Sequence, residues 1–295
     1  MPAFVEVRDS PAKGVGRMRY DLRAGQNGAV PLLLIGGMTQ TISSWGGQLR
    51  PLSTTRTVLA YEARGQGATE LSLDDASFER HIEDAENLIR TLELPTPLDV
   101  CGFSFGGRVA LGLAAQRPTV VRRLVLSGVG HGRSVLSRCI VEGWRAALAT
   151  GDLECLARVS LSDILGADYL EANATMVEPM VKAVMQRNSY EGISALFRDT
   201  LGRDAEGGDT WRPDLLATQV RAPALVLAGA QDRIAPPVEV RALAAAMGAA
   251  HRIFDGAGHT VPIEAAEPWR RAVLAFLDAN EPSVEATISD GDRLH

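Results

Sequence analysis

Short apolar runs recur along this chain, and each ends at or beside a glycine. Residues 30–35 (VPLLLI) stop at Gly36-Gly37, residues 57–61 (TVLAY) lead to the glycine-spaced loop Arg64-Gly65-Gln66-Gly67, and residues 98–101 (LDVC) stop at Gly102. Residues 123–126 (RLVL) precede Ser127-Gly128, and residues 224–227 (ALVL) precede Ala228-Gly229. Runs of this length read as strands buried on both faces, entering loops at their C-terminal ends. Amphipathic stretches lie between them. Residues 78–92 carry Ile82, Ala85, Leu88, Ile89 and Leu92 at helical spacing. Residues 105–116 are rich in alanine and leucine and are closed by Pro118, and residues 237–247 and 267–277 predict further helices. The alternation predicts an α/β fold, a mostly parallel sheet flanked by helices on both faces.

One interval breaks this rhythm. Residues 131–220 contain no strand-like run, but residues 141–149 and 175–186 have helical character. Trp144, Met176, Met180, Met185, Phe197 and Trp211 punctuate the interval, either as packing between helices or as the lining of an apolar pocket. The expectation is a core formed by residues 1–130 and 221–280, with a helical cap or lid inserted at 131–220. The polar tail 281–295 shows no apolar period and is expected to be frayed.

The chain has 295 residues, a net charge of -6 and a sequence pI near 5.5. That length can bury a core without disulfides or metals. The acidic balance argues against nucleic acid, which needs a basic stripe to neutralise phosphates. Cys101, Cys139 and Cys155 are too few for a disulfide framework and suit a reducing compartment. The start of the chain lacks the basic-then-apolar pattern of a secretory signal, and no apolar segment approaches membrane-spanning length. The expected location is the cytoplasm, with a small-molecule substrate, no membrane partner, no cofactor and no metal.

The candidate nucleophile is Ser104, in Gly102-Phe103-Ser104-Phe105-Gly106. A serine hydroxyl reacts when a base can reach it and when it projects from its backbone. A sharp strand-to-helix turn gives the projection, at the cost of an unfavourable backbone conformation at the serine. Side chains two positions either side would collide in that turn, hence Gly102 and Gly106. The motif follows a strand pattern and opens a helix pattern, and the helix start favours negative charge nearby.

A base must sit within hydrogen-bond reach of that serine and be oriented by an acceptor. His259, in Asp255-Gly256-Ala257-Gly258-His259, follows a strand-like stretch (252–254) and precedes the last helix, which puts it at the same sheet edge as Ser104. His81 on a charged helix, His251 at a strand start and His295 at the end of the chain read as surface residues. His131 borders the expected pocket or is simply solvated. Asp232, just past residues 225–229, is the candidate partner of His259, and Asp99 and Asp255 are weaker rivals. For an oxyanion, backbone amides cost no reorganisation. The candidate donors are the amides of Phe105 and Met38, with Gly37 as the alternative to Met38.

With these segments in view, the sequence resembles the α/β-hydrolase superfamily from about residue 30 to 277. The resemblance rests on Gly36-Gly37-Met38-Thr39, residues 63–67 (ARGQG), 102–108 (GFSFGGR), 228–237 (AGAQDRIAPP) and 255–268 (DGAGHTVPIEAAEP), and on the order Ser, Asp, His. Two departures are visible: Gly36 stands where many relatives have histidine, and Glu62 where aspartate is common. The resemblance implies a cofactor-independent serine hydrolase, with cleavage of a carboxylic ester the leading expectation. Residues 102–108 are also similar to those of the menaquinone-pathway synthase that eliminates pyruvate. In that reading Arg108 holds a polycarboxylate, with Arg133, Arg138 and Arg145 adding positive charge. Arg108 by this resemblance, and Trp144 as a lining residue of the expected apolar pocket, are the candidate substrate-binding residues. The remaining alternatives are a carbon–carbon bond hydrolase, a perhydrolase and a non-enzymatic receptor of the same fold.

Overall fold

The structure, a computed structural model, describes residues 1–9, 14–25, 28–201 and 211–280. The predicted tail 281–295, and His295 within it, lie outside the described residues. Among the described residues an eight-stranded sheet runs in the order β1-β2-β4-β3-β5-β6-β7-β8. The strands are β1 (Ala3–Arg8), β2 (Val15–Arg23), β3 (Leu32–Ile35), β4 (Val58–Tyr61), β5 (Leu98–Phe103), β6 (Val121–Ser127), β7 (Ala224–Gly229) and β8 (Ala250–Phe254). β2 is antiparallel to both its neighbours; every other pairing is parallel. The fold is therefore that expected, an α/β-hydrolase sheet, with an antiparallel edge that the apolar pattern did not predict. β1 and β2 bury little besides Val7, Met18 and Asp21. Main-chain pairing defines them, and their side chains carry no apolar run.

Alternation along the inner strands divides the core. Leu33, Leu59, Val100, Leu124 and Val226 face one apolar cluster, whereas Leu32, Leu34, Val58, Cys101, Val125 and Leu225 face the other. The first face is covered by α2 (Phe78–Thr91), α3 (Phe105–Gln116) and α10 (Pro237–Met247). The second is covered by α1 (Gly46–Leu52) and α12 (Ala266–Asp278), whose Trp269 is fully buried and donates its indole N–H to Ser127 Oγ at 2.8 Å.

Between β6 and β7 the described residues are helical: α4 (Val135–Leu148), α5 (Leu153–Ile164), α6 (Ala167–Ala172), α7 (Val177–Arg187), α8 (Tyr190–Thr200) and α9 (Pro213–Ala217). Ser134, Asp152 and Ser189 cap α4, α5 and α8 by accepting first-turn amides. A short helix, α11 (Val261–Glu264), precedes α12. The chain visits β3, then β4 on one side and β5 on the other, so connections leave β3 and β5 in opposite directions. Such a switch point opens a crevice at the carboxyl ends of the strands. The Gly36-Gly37-Met38 loop leaves β3 there, and Ser104 leaves β5.

Candidate active site

Ser104 joins β5 directly to α3 with φ 51° and ψ -115°. The tightness of the turn is measurable at its glycines. A Cβ on Gly102 would lie 2.4 Å from the Gly106 carbonyl oxygen, and one on Gly106 would lie 2.3 Å from that of Gly36. Both contacts are with backbone, which cannot swing away. Ser104 N donates to Ser127 O at 2.8 Å, tying the elbow to the end of β6.

Three side chains from distant parts of the chain form a hydrogen-bonded line. His259 Nε2 lies 2.8 Å from Ser104 Oγ, and His259 Nδ1 lies 2.8 Å from Asp232 Oδ2. His259 and Asp232 are each 3% exposed, and Ser104 is half-buried. An ionised carboxylate can only accept, so Nδ1 carries the proton and Nε2 is left to accept from the serine hydroxyl. The other Asp232 oxygen accepts from the amides of Ile234 and Ala235, both at 2.8 Å, which fixes the carboxylate's rotation. Phe103 packs on the imidazole with ring centroids 5.1 Å apart.

The loop after β3 runs against this elbow: a Cβ on Gly37 would meet the Phe103 ring at 2.8 Å. Gly37 N donates to Gln40 Oε1 at 2.9 Å. That amide is thus already engaged within its own loop. Gln40 had no distinguishing signal in the sequence.

A pocket opens at Ser104, and Met38, Phe105, Arg108, Arg133, Val141 and Trp144 are among its lining. Arg108 and Trp144 both belong to its wall, and Trp144 is held by donating its indole N–H to Asp163 Oδ2 at 2.8 Å. The arginines singled out between β6 and β7 divide. Arg133 lines the cavity, Arg138 donates to the Arg133 carbonyl, and Arg145 donates to the Leu201 carbonyl. The other large apolar residues singled out in that segment take other places. Phe197 and Trp211 are buried, with Trp211 stacked on Phe78, while Met176 and Met185 are exposed. Met180 lines a separate groove beside Thr39 and Thr260.

His81 departs from the surface placement its charged helix suggested: it is 1% exposed, with its ring edge-on to Phe105 at 4.8 Å. Burial, and then the nearby Arg64 guanidinium, push its pKa down to about 3. The sequence pattern misled here because α2 buries a wide stripe that includes His81 and Asp84. Asp84 pairs with the buried Arg64 at 2.8 Å. His251 is half-buried in β8 rather than exposed. His131 adjoins the cavity, but its wall here is formed by Gly130, Gly132 and Arg133. Of the rival carboxylates, Asp99 pairs with Arg56 and Arg122, and Asp255 is exposed. Burial holds the Asp99 pKa above the usual range, with Arg122 the first of the opposing arginines.

Comparison with known proteins fits this geometry. The Alpha/beta hydrolase family pattern matches residues 32–272, and the chain belongs to that family. It is 29% identical over 276 residues to a 2-hydroxymuconate semialdehyde hydrolase of Pseudomonas sp. strain CF600, covering 92% of this chain and 93% of that one. It is 32% identical over 229 residues to a 2-hydroxymuconate semialdehyde hydrolase of Pseudomonas putida, covering 76% and 78%. Among solved structures it resembles the enol-lactonase of Burkholderia xenovorans LB400 with a TM-score of 0.76 and 24% identity, covering 94% of this chain and all of that one. The family comprises enzymes acting on small molecules. Among the described residues, no helix is long and apolar enough to cross a membrane.

Proposed function

We propose that this protein is a serine hydrolase that cleaves a small carboxylic ester through an acyl-enzyme. The observation carrying the proposal is the line Ser104–His259–Asp232, with 2.8 Å at each step, opening into a confined cavity. His259 Nε2 takes the Ser104 proton as Oγ bonds to the acyl carbon, while Asp232 stabilises the resulting imidazolium. The carbonyl oxygen becomes an oxyanion held by the amides of Phe105 and Met38. The C–O bond to the leaving alcohol then breaks, and His259 returns its proton to that alcohol. Water, deprotonated by the same imidazole, attacks the acyl-enzyme and releases the acid and free Ser104. Residues 131–220 act as a cap that closes the cavity, with residues 1–130 and 221–280 as the core. Arg108 and Trp144 contact substrate from the wall. Ester cleavage needs no cofactor or metal.

A second reading rests on the two semialdehyde hydrolases. A semialdehyde carrying a carboxylate has no ester, so its hydrolase must break a different bond, and water adding across a carbon–carbon bond is the alternative. Fluorophosphonate labelling combined with turnover of activated esters of graded acyl length separates the readings. The ester reading expects labelling, many turnovers, and loss of both in Ser104→Ala. It is abandoned if labelling occurs but no ester exceeds one turnover while 2-hydroxymuconate semialdehyde is consumed catalytically.

A further inference from the structure

The placement of His259 depends on a group outside the hydrogen-bonded line. Glu264 ends α11, and its carboxylate takes four hydrogen bonds in two pairs. Oε1 accepts from the Thr260 amide at 2.8 Å and the Thr260 hydroxyl at 2.7 Å. Oε2 accepts from the Gly258 amide at 2.8 Å and the Gly166 amide at 2.7 Å. The residues immediately before and after His259 are thus gripped by one side chain, and the grip includes Gly166, the N-cap residue just before α6. Backbone contacts tighten the same seam. The amides of His259 and Thr260 donate to the Ile164 carbonyl at 2.8 and 3.2 Å. A Cβ on Gly258 would lie 2.3 Å from Gly166 N, and one on Gly166 would lie 2.9 Å from Gly258 N. The two segments meet backbone to backbone, with no room for a side chain.

We propose that Glu264 is a positioning residue that sets the His259 imidazole against Ser104, and does so only while the Ile164–Gly166 turn is docked. The proposal rests on His259 being the general base. Its physical basis is the short reach of proton transfer: displacing a catalytic group by about 1 Å can cost on the order of a hundredfold in rate. A carboxylate suits this place because it accepts on both oxygens. A glutamine has one accepting oxygen, so its NH2 must face either the Gly166 and Gly258 amides or the Thr260 amide, donor against donor; on the second side the Thr260 hydroxyl can turn to accept, so one amide rather than two loses its acceptor.

The test uses Glu264→Gln and Gly166→Ala in the full chain. In Glu264→Gln, kcat for p-nitrophenyl acetate should fall by about 10- to 100-fold while KM stays within about twofold, because the cavity wall is untouched. The far-downfield proton resonance of the His259–Asp232 hydrogen bond, assigned by its loss in His259→Gln, should broaden or vanish. Gly166→Ala, which leaves Glu264 in place, should reproduce both effects, and the double variant should lose little more than the worse single one. If Glu264→Gln does not fold, Gly166→Ala carries the same measurements. A folded Glu264→Gln with wild-type kcat and a sharp resonance overturns the proposal; wild-type behaviour in Gly166→Ala overturns the dependence on the docked turn. Should the wild-type protein turn over no ester, the ester reading falls, and the resonance alone still decides whether Glu264 positions the imidazole.

Discussion

Asp232→Asn isolates the proton bookkeeping of the proposed relay. The two oxygens of Asp232 have different partners: one takes the amides of Ile234 and Ala235, and the other takes His259 Nδ1, all at 2.8 Å. In the asparagine variant the carbonyl oxygen stays on the two amides, since both are donors. The NH2 then faces Nδ1 and donates to it, which forces the ring proton onto Nε2, pointing at Ser104. A protonated Nε2 cannot accept the serine proton, although volume and the loop's hydrogen bonds are kept. Loss of the correct tautomer costs about 10⁴ in kcat in the known serine-protease template, or about 5 kcal/mol at about 1.4 kcal/mol per decade. The assay is steady-state hydrolysis of p-nitrophenyl acetate with buffer hydrolysis subtracted, alongside the rate of fluorophosphonate labelling. Both rates should fall together, with KM near wild type and a cooperative thermal transition retained. A folded variant with less than tenfold loss would refute the tautomer argument.

The elbow, the turn glycine and the buried histidine supply further tests. Ser104→Gly should be more stable than Ser104→Ala by about 1 kcal/mol. Relief of the positive φ is worth about 1–3 kcal/mol and glycine's added freedom removes up to about 1, so equal urea midpoints would argue against strain at the elbow. Gly106→Ala drives a methyl to 2.3 Å from the Gly36 carbonyl oxygen and should cost more than about 3 kcal/mol in urea unfolding; an unchanged midpoint would mean the loop yields freely. His81 is held neutral in the fold down to about pH 3, against an ordinary value of 6.5. Between those values the unfolded chain binds the extra proton, so stability is present above 6.5 and is lost as pH falls towards 3, with a slope approaching about 1.4 kcal/mol per pH unit from this group. His81→Met should flatten the stability profile in that window; an unchanged slope there would show that His81 titrates normally.

The inner strands were legible in the sequence because each is buried on both faces, and two-sided burial leaves an unbroken apolar run such as residues 32–35. Ser104 was legible because a strand stopping at a glycine-flanked serine and turning at once into a helix imposes its own composition. His259 and Asp232 could be singled out because each lies just past a strand in a parallel sheet, which sends all such loops to one edge. The hairpin β1–β2 was not legible: an edge held by main-chain bonds needs no apolar pattern. Nor was the depth of His81, since a helix with charged neighbours gives no hint of how wide a stripe it buries.

What local order determines here is the set of strands, the elbow and the residue types able to move a proton, because each depends on neighbours within a few positions. What only tertiary packing decided is which of several possible partners a group meets, whether near or far along the chain. The engagement of Gly37 by Gln40, the sorting of Arg133 from Arg138 and Arg145, and the grip of Glu264 on both sides of His259 are of that kind. Each is a hydrogen bond or a cavity wall whose partners are chosen by the path of the backbone, and no spacing along the chain encodes that path on its own.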